Sequence, residues 1–219
     1  MSRPPAPTRL RVFAVEDDGA QVCWAHLAPG DTVLAAGASK VEVTAERAGA
    51  QGAAVIGGLT PATGYDLLLG AGASWRRVAR FRTLPSPPGP LLYRFATLND
   101  LHIGEAAFGY WGTLHEPVAV EPYPQRCARA ALAEAVAWGA EAVVVKGDIT
   151  DSGTPVQWAA AGRLLAGAGV PVHLVLGNHD TTRRAVDAGE ALAPFGLTVA
   201  TEPAALDVAG IRIVLAHTP

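Results

Sequence analysis

Three short polar motifs, each directly after an apolar run of β type, constrain the fold of this 219-residue chain more than any other feature. Asn99-Asp100-Leu101-His102 follows Tyr93 to Leu98, Gly147-Asp148-Ile149-Thr150-Asp151 follows Ala142 to Lys146, and Gly177-Asn178-His179-Asp180 follows Val172 to Leu176. Segments of helical character separate the three runs, which requires parallel strands joined by crossovers. Parallel strands end on a common edge, so all three motifs arrive at the carboxyl edge of one sheet.

The residue types there are those of a metal centre. Asp and Asn offer oxygen, neutral His offers nitrogen, and no thiolate occurs in any motif, a donor set that suits Mn, Fe, Zn or Mg. Side chains two residues apart on an extended strand end point the same way, so Asp100 and His102 are expected to hold one ion together. Gly147 and Gly177 let backbone approach the cluster. A carboxylate between two ions bridges them, and Asp148 has the central position. Turn chemistry explains any one motif taken singly; three convergent motifs point to a site. Lys146, two residues before Asp148, has two readings: a contact to phosphate or carboxylate, or an edge lysine whose ammonium reaches solvent.

Together these residues resemble the calcineurin-like metallophosphoesterases, whose Asp-x-His, Gly-Asp-x-x-Asp and Gly-Asn-His-Asp motifs stand here at Asp100 to His102, Gly147 to Asp151 and Gly177 to Asp180. The resemblance covers Tyr93 to Pro219 and looks most like the class III cyclic-nucleotide phosphodiesterase branch. It implies an α/β sandwich of αββα type with two divalent metal ions, in which a metal-bound hydroxide attacks the phosphorus of a small phosphodiester or monoester. By position, Asp100 and His102 bind the first metal, Asp148 bridges, and Asn178 binds the second. His179 contacts the phosphate or protonates the leaving oxygen, with Asp151 and Asp180 as supports around the ligands.

The family also has later histidine motifs, including Gly-His-x-His, which this sequence does not contain before Pro219. The expectation is therefore an incomplete metal shell, with a weakly bound second ion and poor hydrolysis; His217, after an apolar strand, is a further candidate ligand. A non-catalytic binding fragment is the alternative from another class. Purple acid phosphatases are the nearest enzyme alternative, but Asp151 stands where they carry an iron-binding tyrosine, and His102 where they lack a histidine.

Composition sets the remaining bounds. Half of the residues are hydrophobic, enough for a real core, and the length allows one or two domains. Seventeen Lys and Arg against 20 Asp and Glu give a net charge of -3 with no basic run, which argues against a nucleic-acid partner. No apolar signal core follows Met1 and no apolar stretch is long enough to span a bilayer, so a cytoplasmic location without membrane partners is expected. Cys23 and Cys127 read as buried, reduced packing residues far from the metal motifs.

A proline-rich linker at 85–92 divides the chain. Before it, residues 7–84 show short runs at 10–15, 21–25, 40–44, 53–56, 65–69 and 75–83 between Gly, Asp and Pro turns, the pattern of an all-β sandwich. Gly58 to Tyr65 resembles the turn before a late strand of fibronectin type III domains, with Tyr65 as a tyrosine corner and Trp24 in the core, a structural attachment. After it, residues 93–219 form the phosphoesterase part. There Pro124 to Trp138 reads as a helix with an Ala128, Leu132, Val136 stripe, Thr154-Pro155 starts a helix through Ala166, and a last strand spans Ile211 to Ala216. The connection from Ile103 to Tyr123 carries Phe108, Tyr110, Trp111, His115 and Tyr123, and reads as a wall of the substrate pocket or an aromatic plug.

Overall fold

The structure is a computed structural model that describes residues 9–27, 30–35, 37, 39–42, 52–71, 73–108, 114–115, 121–182 and 185–216. The chain divides into two compact units, Met1–Gly89 and Pro90–Pro219. Between Arg82 and Phe95 it forms no helix or strand.

In the first unit the described residues form two antiparallel sheets. β1 (Arg11–Val15), β2 (Ala20–Trp24) and β5 (Gly52–Ile56) make one; β4 (Lys40–Glu42), β3 (Asp31–Ala35), β6 (Gly64–Ala71) and β7 (Ser74–Arg82) make the other, in those orders. Alternation explains the shared core: Ala20, Val22 and Trp24 point inward from β2 and Tyr65, Leu67 and Leu69 from β6, all in one buried cluster with Ile56 and Phe81. The Tyr65 hydroxyl accepts a hydrogen bond from the Thr60 backbone N–H at 2.8 Å, which closes the expected corner. β3 is a strand that the sequence reading lacked.

In the second unit, β8 (Phe95–Leu98), β11 (Ala142–Lys146), β12 (Val172–Val175) and β13 (Val199–Ala200) form a parallel sheet in the order β13-β12-β11-β8. Each crossover advances the same way along the sheet, and right-handed crossovers then put every helix on one face. α1 (Tyr123–Ala137), α2 (Pro155–Ala166) and α3 (Ala188–Leu192) accordingly share one core with Val143, Val145 and Leu174. The helices do not cover the other face. Val144 and Val175 there pack with Leu215 of an antiparallel hairpin, β14 (Ala204–Val208) and β15 (Ile211–Leu215).

α2 begins where Thr154-Pro155 places it, and Gln157 Oε1 accepts from the Thr154 N–H at 3.3 Å. In α1 the buried positions are Pro124, Ala128, Leu132 and Ala135, whereas Val136 is exposed. Each step of four residues rotates about 40° past a full turn. After two such steps a step of three returns the stripe to the sheet, so Ala135 replaces Val136. The 103–123 connection contains a short hairpin of β9 (Ala107–Phe108) and β10 (Leu114–His115); Tyr110 and Trp111 lie outside the described residues. Among the described residues no helix is long and apolar enough to cross a membrane.

Candidate metal centre

Past their strands, the β8 and β11 loops run side by side and stay hydrogen-bonded. The Asp100 N–H donates to Gly147 O at 3.1 Å, the His102 N–H to Asp148 O at 2.9 Å and the Ile103 N–H to Ile149 O at 3.0 Å; the Asp151 N–H returns to Ile103 O at 3.1 Å. Within this ladder Asp100, His102 and Asp148 have φ of 55°, 45° and 45°, and Gly147 has 91°. Non-glycine residues in the left-handed region cost of order 1 kcal/mol or more each and persist where surroundings fix them. Asp100 and His102 are thus brought together by left-handed turns; the strand alternation assumed for them does not apply.

The side chains converge in two overlapping groups. Ligand atoms of Asp100, His102 and Asp148 lie within 4.8 Å of one another, and so do those of His102, Asp151 and His179. His102 Nε2 is 3.8 Å from Asp148 Oδ2, and the His102 and His179 rings meet edge to face at 4.5 Å. Asn178 lines the same cavity as Asp100 and Asp148. His217 lies outside the described residues.

These residues fit a cation. Among the described residues no lysine or arginine pairs with Asp100, Asp148 or Asp151, whose near neighbours of basic type are histidines, His102 at 3.8 Å from Asp148 and His179 at 3.9 Å from Asp151. His102 Nδ1 is buried with no hydrogen-bond partner, a state that is expensive unless a ligand uses the ring. Hard oxygen donors with imidazole suit divalent ions.

Supports hold the groups in place. Asp148 Oδ1 accepts from the His179 N–H at 3.0 Å, which leaves Oδ2 for the cluster. His179 Nδ1 lies 2.7 Å from the carbonyl oxygen of Asp151, which can only accept. Nδ1 therefore carries the proton. That hydrogen bond raises the His179 pKa above its ordinary value; slight burial opposes this, and the Asp148, Asp151 and Asp180 charges reinforce it. Asp180, 2% exposed, accepts from the N–H groups of Ile149, Thr150 and Gly177 at 3.0, 2.8 and 3.0 Å and from the Thr150 hydroxyl at 2.8 Å.

Gly177 is required by space. A Cβ there would fall on Asp148 Oδ1 and the Asp148 backbone nitrogen. Gly177→Ala is expected to destabilise the second unit by about 2 kcal/mol and to displace Asp148. Urea unfolding checks the first effect and Mn titration the second; an unchanged protein on both counts would contradict this packing.

Two cavities border Asp100. One of about 540 Å³ is lined by Lys146, Asp148 and Asn178 among others. The other, about 280 Å³, lies between the β8 loop and α1, with His102, Glu105, Tyr123 and Cys127 in its wall. Cys127 is exposed and Cys23 partly so, which corrects the expectation of buried cysteines, and Cys127 stands beside the centre. The cause is helical phase: Tyr123, Cys127 and Ala131 recur every four residues on the flank of α1 that faces the β8 loop. That signal was readable in the sequence, as was Tyr123; Thr150, whose buried hydroxyl binds Asp180, carried none.

A cluster of candidate metal ligands at the carboxyl edge of a parallel sheet agrees with the family comparison. Residues 93–218 match the model of the calcineurin-like phosphoesterases, and the chain belongs to that family. Among solved structures it is similar to the fn3 domain of the human collagen alpha-1(XX) chain, with 21% identity over 41% of this chain and 89% of that one and a TM-score of 0.28. It is similar to the fn3 domain of human contactin 1, with 19% identity over 41% and 85% and a TM-score of 0.28. The structure of PhoD is similar at 13% identity over 84% of this chain and 42% of that one, with a TM-score of 0.27. No curated protein matches the chain.

Proposed function

We propose that the second unit is a metal-dependent phosphodiesterase with a dinuclear centre, of the cyclic-nucleotide and small-phosphodiester branch, and that the first unit is a fibronectin type III-like attachment that shapes or positions it. The observation that carries this reading is the convergence of Asp100, His102, Asp148, Asp151 and His179 into two groups sharing His102. Asp100, His102, Asp148 and Asn178 are the residues that would hold the ions. When bound, two divalent cations would neutralise phosphoryl oxygens and lower the pKa of an attacking water.

The chain's own groups do the rest. Asp148 is oriented by the His179 N–H, so its free oxygen is aimed at the cluster. His179 keeps Nδ1 on the Asp151 carbonyl, a hydrogen bond that raises its pKa, and has Nε2 left for a substrate oxygen. It is therefore suited to hand a proton to the leaving alkoxide oxygen. The cavities on two sides of Asp100 support a diester, which has two organic substituents to place.

Slow, Mn-dependent hydrolysis of bis-p-nitrophenyl phosphate, faster than of the p-nitrophenyl monoester, is expected from purified protein. Absence of Mn binding by calorimetry, or turnover indifferent to chelator, would overturn the reading. His179→Ala is expected to lower kcat about 100-fold and leave most bound metal in place. Loss of the metal in that variant would make His179 a ligand.

A further inference from the structure

We propose that Lys146 and the cavity it lines form a subsite for an anionic group on the substrate, a phosphate or carboxylate remote from the reacting phosphorus. This rests on the phosphoesterase reading above and adds a specificity determinant to it. Along β11, Val143 and Val145 belong to the helix-side core and Val144 to the opposite cluster, so Lys146 follows on the face of Val144. β11 lies between β12 and β8, and Lys146 is its last residue, exposed at the carboxyl edge of the sheet. Interior strand positions favour β-branched residues such as the three valines before it.

Lys146, exposed at the end of its strand, lines a cavity of about 540 Å³, whose apolar walls include Phe95, Val144, Val175 and Leu215 and whose lining also holds Asp100, Asp148 and Asn178. That volume suits a small organic ligand. Lys146 is the one basic residue among those lining it. Among the described residues its ammonium makes no hydrogen bond or ion pair, and neither Asp100 nor Asp148 comes within 4.0 Å of it. The rim carboxylates belong to the metal cluster, so the charge of Lys146 is left for a group brought from outside. An ammonium in a partly apolar cleft attracts such a group more strongly than one in open water. A substrate whose phosphorus sits at Asp100 and Asp148 would lay an apolar body along the valines and set its second anion on Lys146.

Three probes with a non-hydrolysable carbon–phosphorus bond test this: benzylphosphonate, 4-(phosphonomethyl)benzoate and p-xylylenediphosphonate. Their binding to the full chain is measured by calorimetry with Mn present. The wild type should bind one or both of the probes with an anionic tail about tenfold more tightly than benzylphosphonate, the usual effect of one charge-assisted hydrogen bond. The better of the two identifies the tail as carboxylate or phosphate. Lys146→Met should abolish the preference without changing benzylphosphonate or Mn affinity, and Lys146→Arg should restore part of it. Equal binding of all three probes, or a preference that survives Lys146→Met, would overturn the subsite alone. If Mn binds and benzylphosphonate does not, the phosphoesterase reading fails and the subsite with it.

Discussion

Asp148→Asn weakens Mn binding by more than about 100-fold, whereas Asp151→Asn weakens it roughly tenfold, the range for a group that supports ligands. The reason is position. Asp148 has one oxygen fixed by the His179 N–H and the other 3.8 Å from His102 Nε2, so the carboxylate is already aimed where an ion would sit. The amide removes the negative charge and puts a donor where an acceptor is needed. Asp151 also holds His179 through its backbone carbonyl, and that contact survives side-chain substitution. Its carboxylate nevertheless lies within reach of His102 and His179. Calorimetric titration of both variants decides the matter: equal losses at matched stability would make Asp151 a ligand in its own right.

Asp180→Ala lowers the stability of the second unit by about 3 kcal/mol, because buried donors left without an acceptor each cost about 1–3 kcal/mol. The carboxylate takes four hydrogen bonds, and its partners come from two loops, Ile149 and Thr150 after β11 and Gly177 after β12. Removing it frees the two strand ends from each other as well as leaving N–H groups orphaned. Asp180→Asn keeps one oxygen and should fall between wild type and alanine. Urea unfolding followed by the helical circular dichroism signal reads this unit, which holds α1, α2 and α3. A loss below about 1 kcal/mol for alanine, the scale of one ordinary hydrogen bond, would show that Asp180 is not the clamp it looks to be.

The strand ends were legible because the chemistry that terminates them is local. Val-rich runs at Ala142 to Lys146 and Val172 to Leu176 are followed at once by Gly-Asp and Gly-Asn, and the structure ends β11 and β12 within one residue of those points. Tyr65 was legible for the same reason, since its partner Thr60 is five residues away. What failed depended on tertiary context. β13 is only two residues, too short for a periodic signal, whereas β3, Asp31–Ala35, was missed although it is as long as β1 and β2. The left-handed turns at Asp100 and His102 are imposed by the neighbouring β11 loop. Nothing in the identity of these residues announces them, although Asp and His tolerate that region better than most. Lys146 had two readings in the sequence because a lysine at a strand end reaches solvent or a bound anion with the same residue pattern, and the structure places it exposed at the end of β11.

The monotonic order β8, β11, β12, β13 turns the sheet edge into a ruler. Adjacent strands lie about 4.8 Å apart, so three neighbouring strand tips span roughly 10 Å, about the width that a pair of ions with their ligands occupies. The tip of β13 falls one spacing beyond β12 and two beyond β11. A carboxylate just after it, such as Glu202, stays outside both convergent groups. Chain order along this edge therefore limits how many strands can serve the centre, and any additional donor has to arrive from above the edge on a loop.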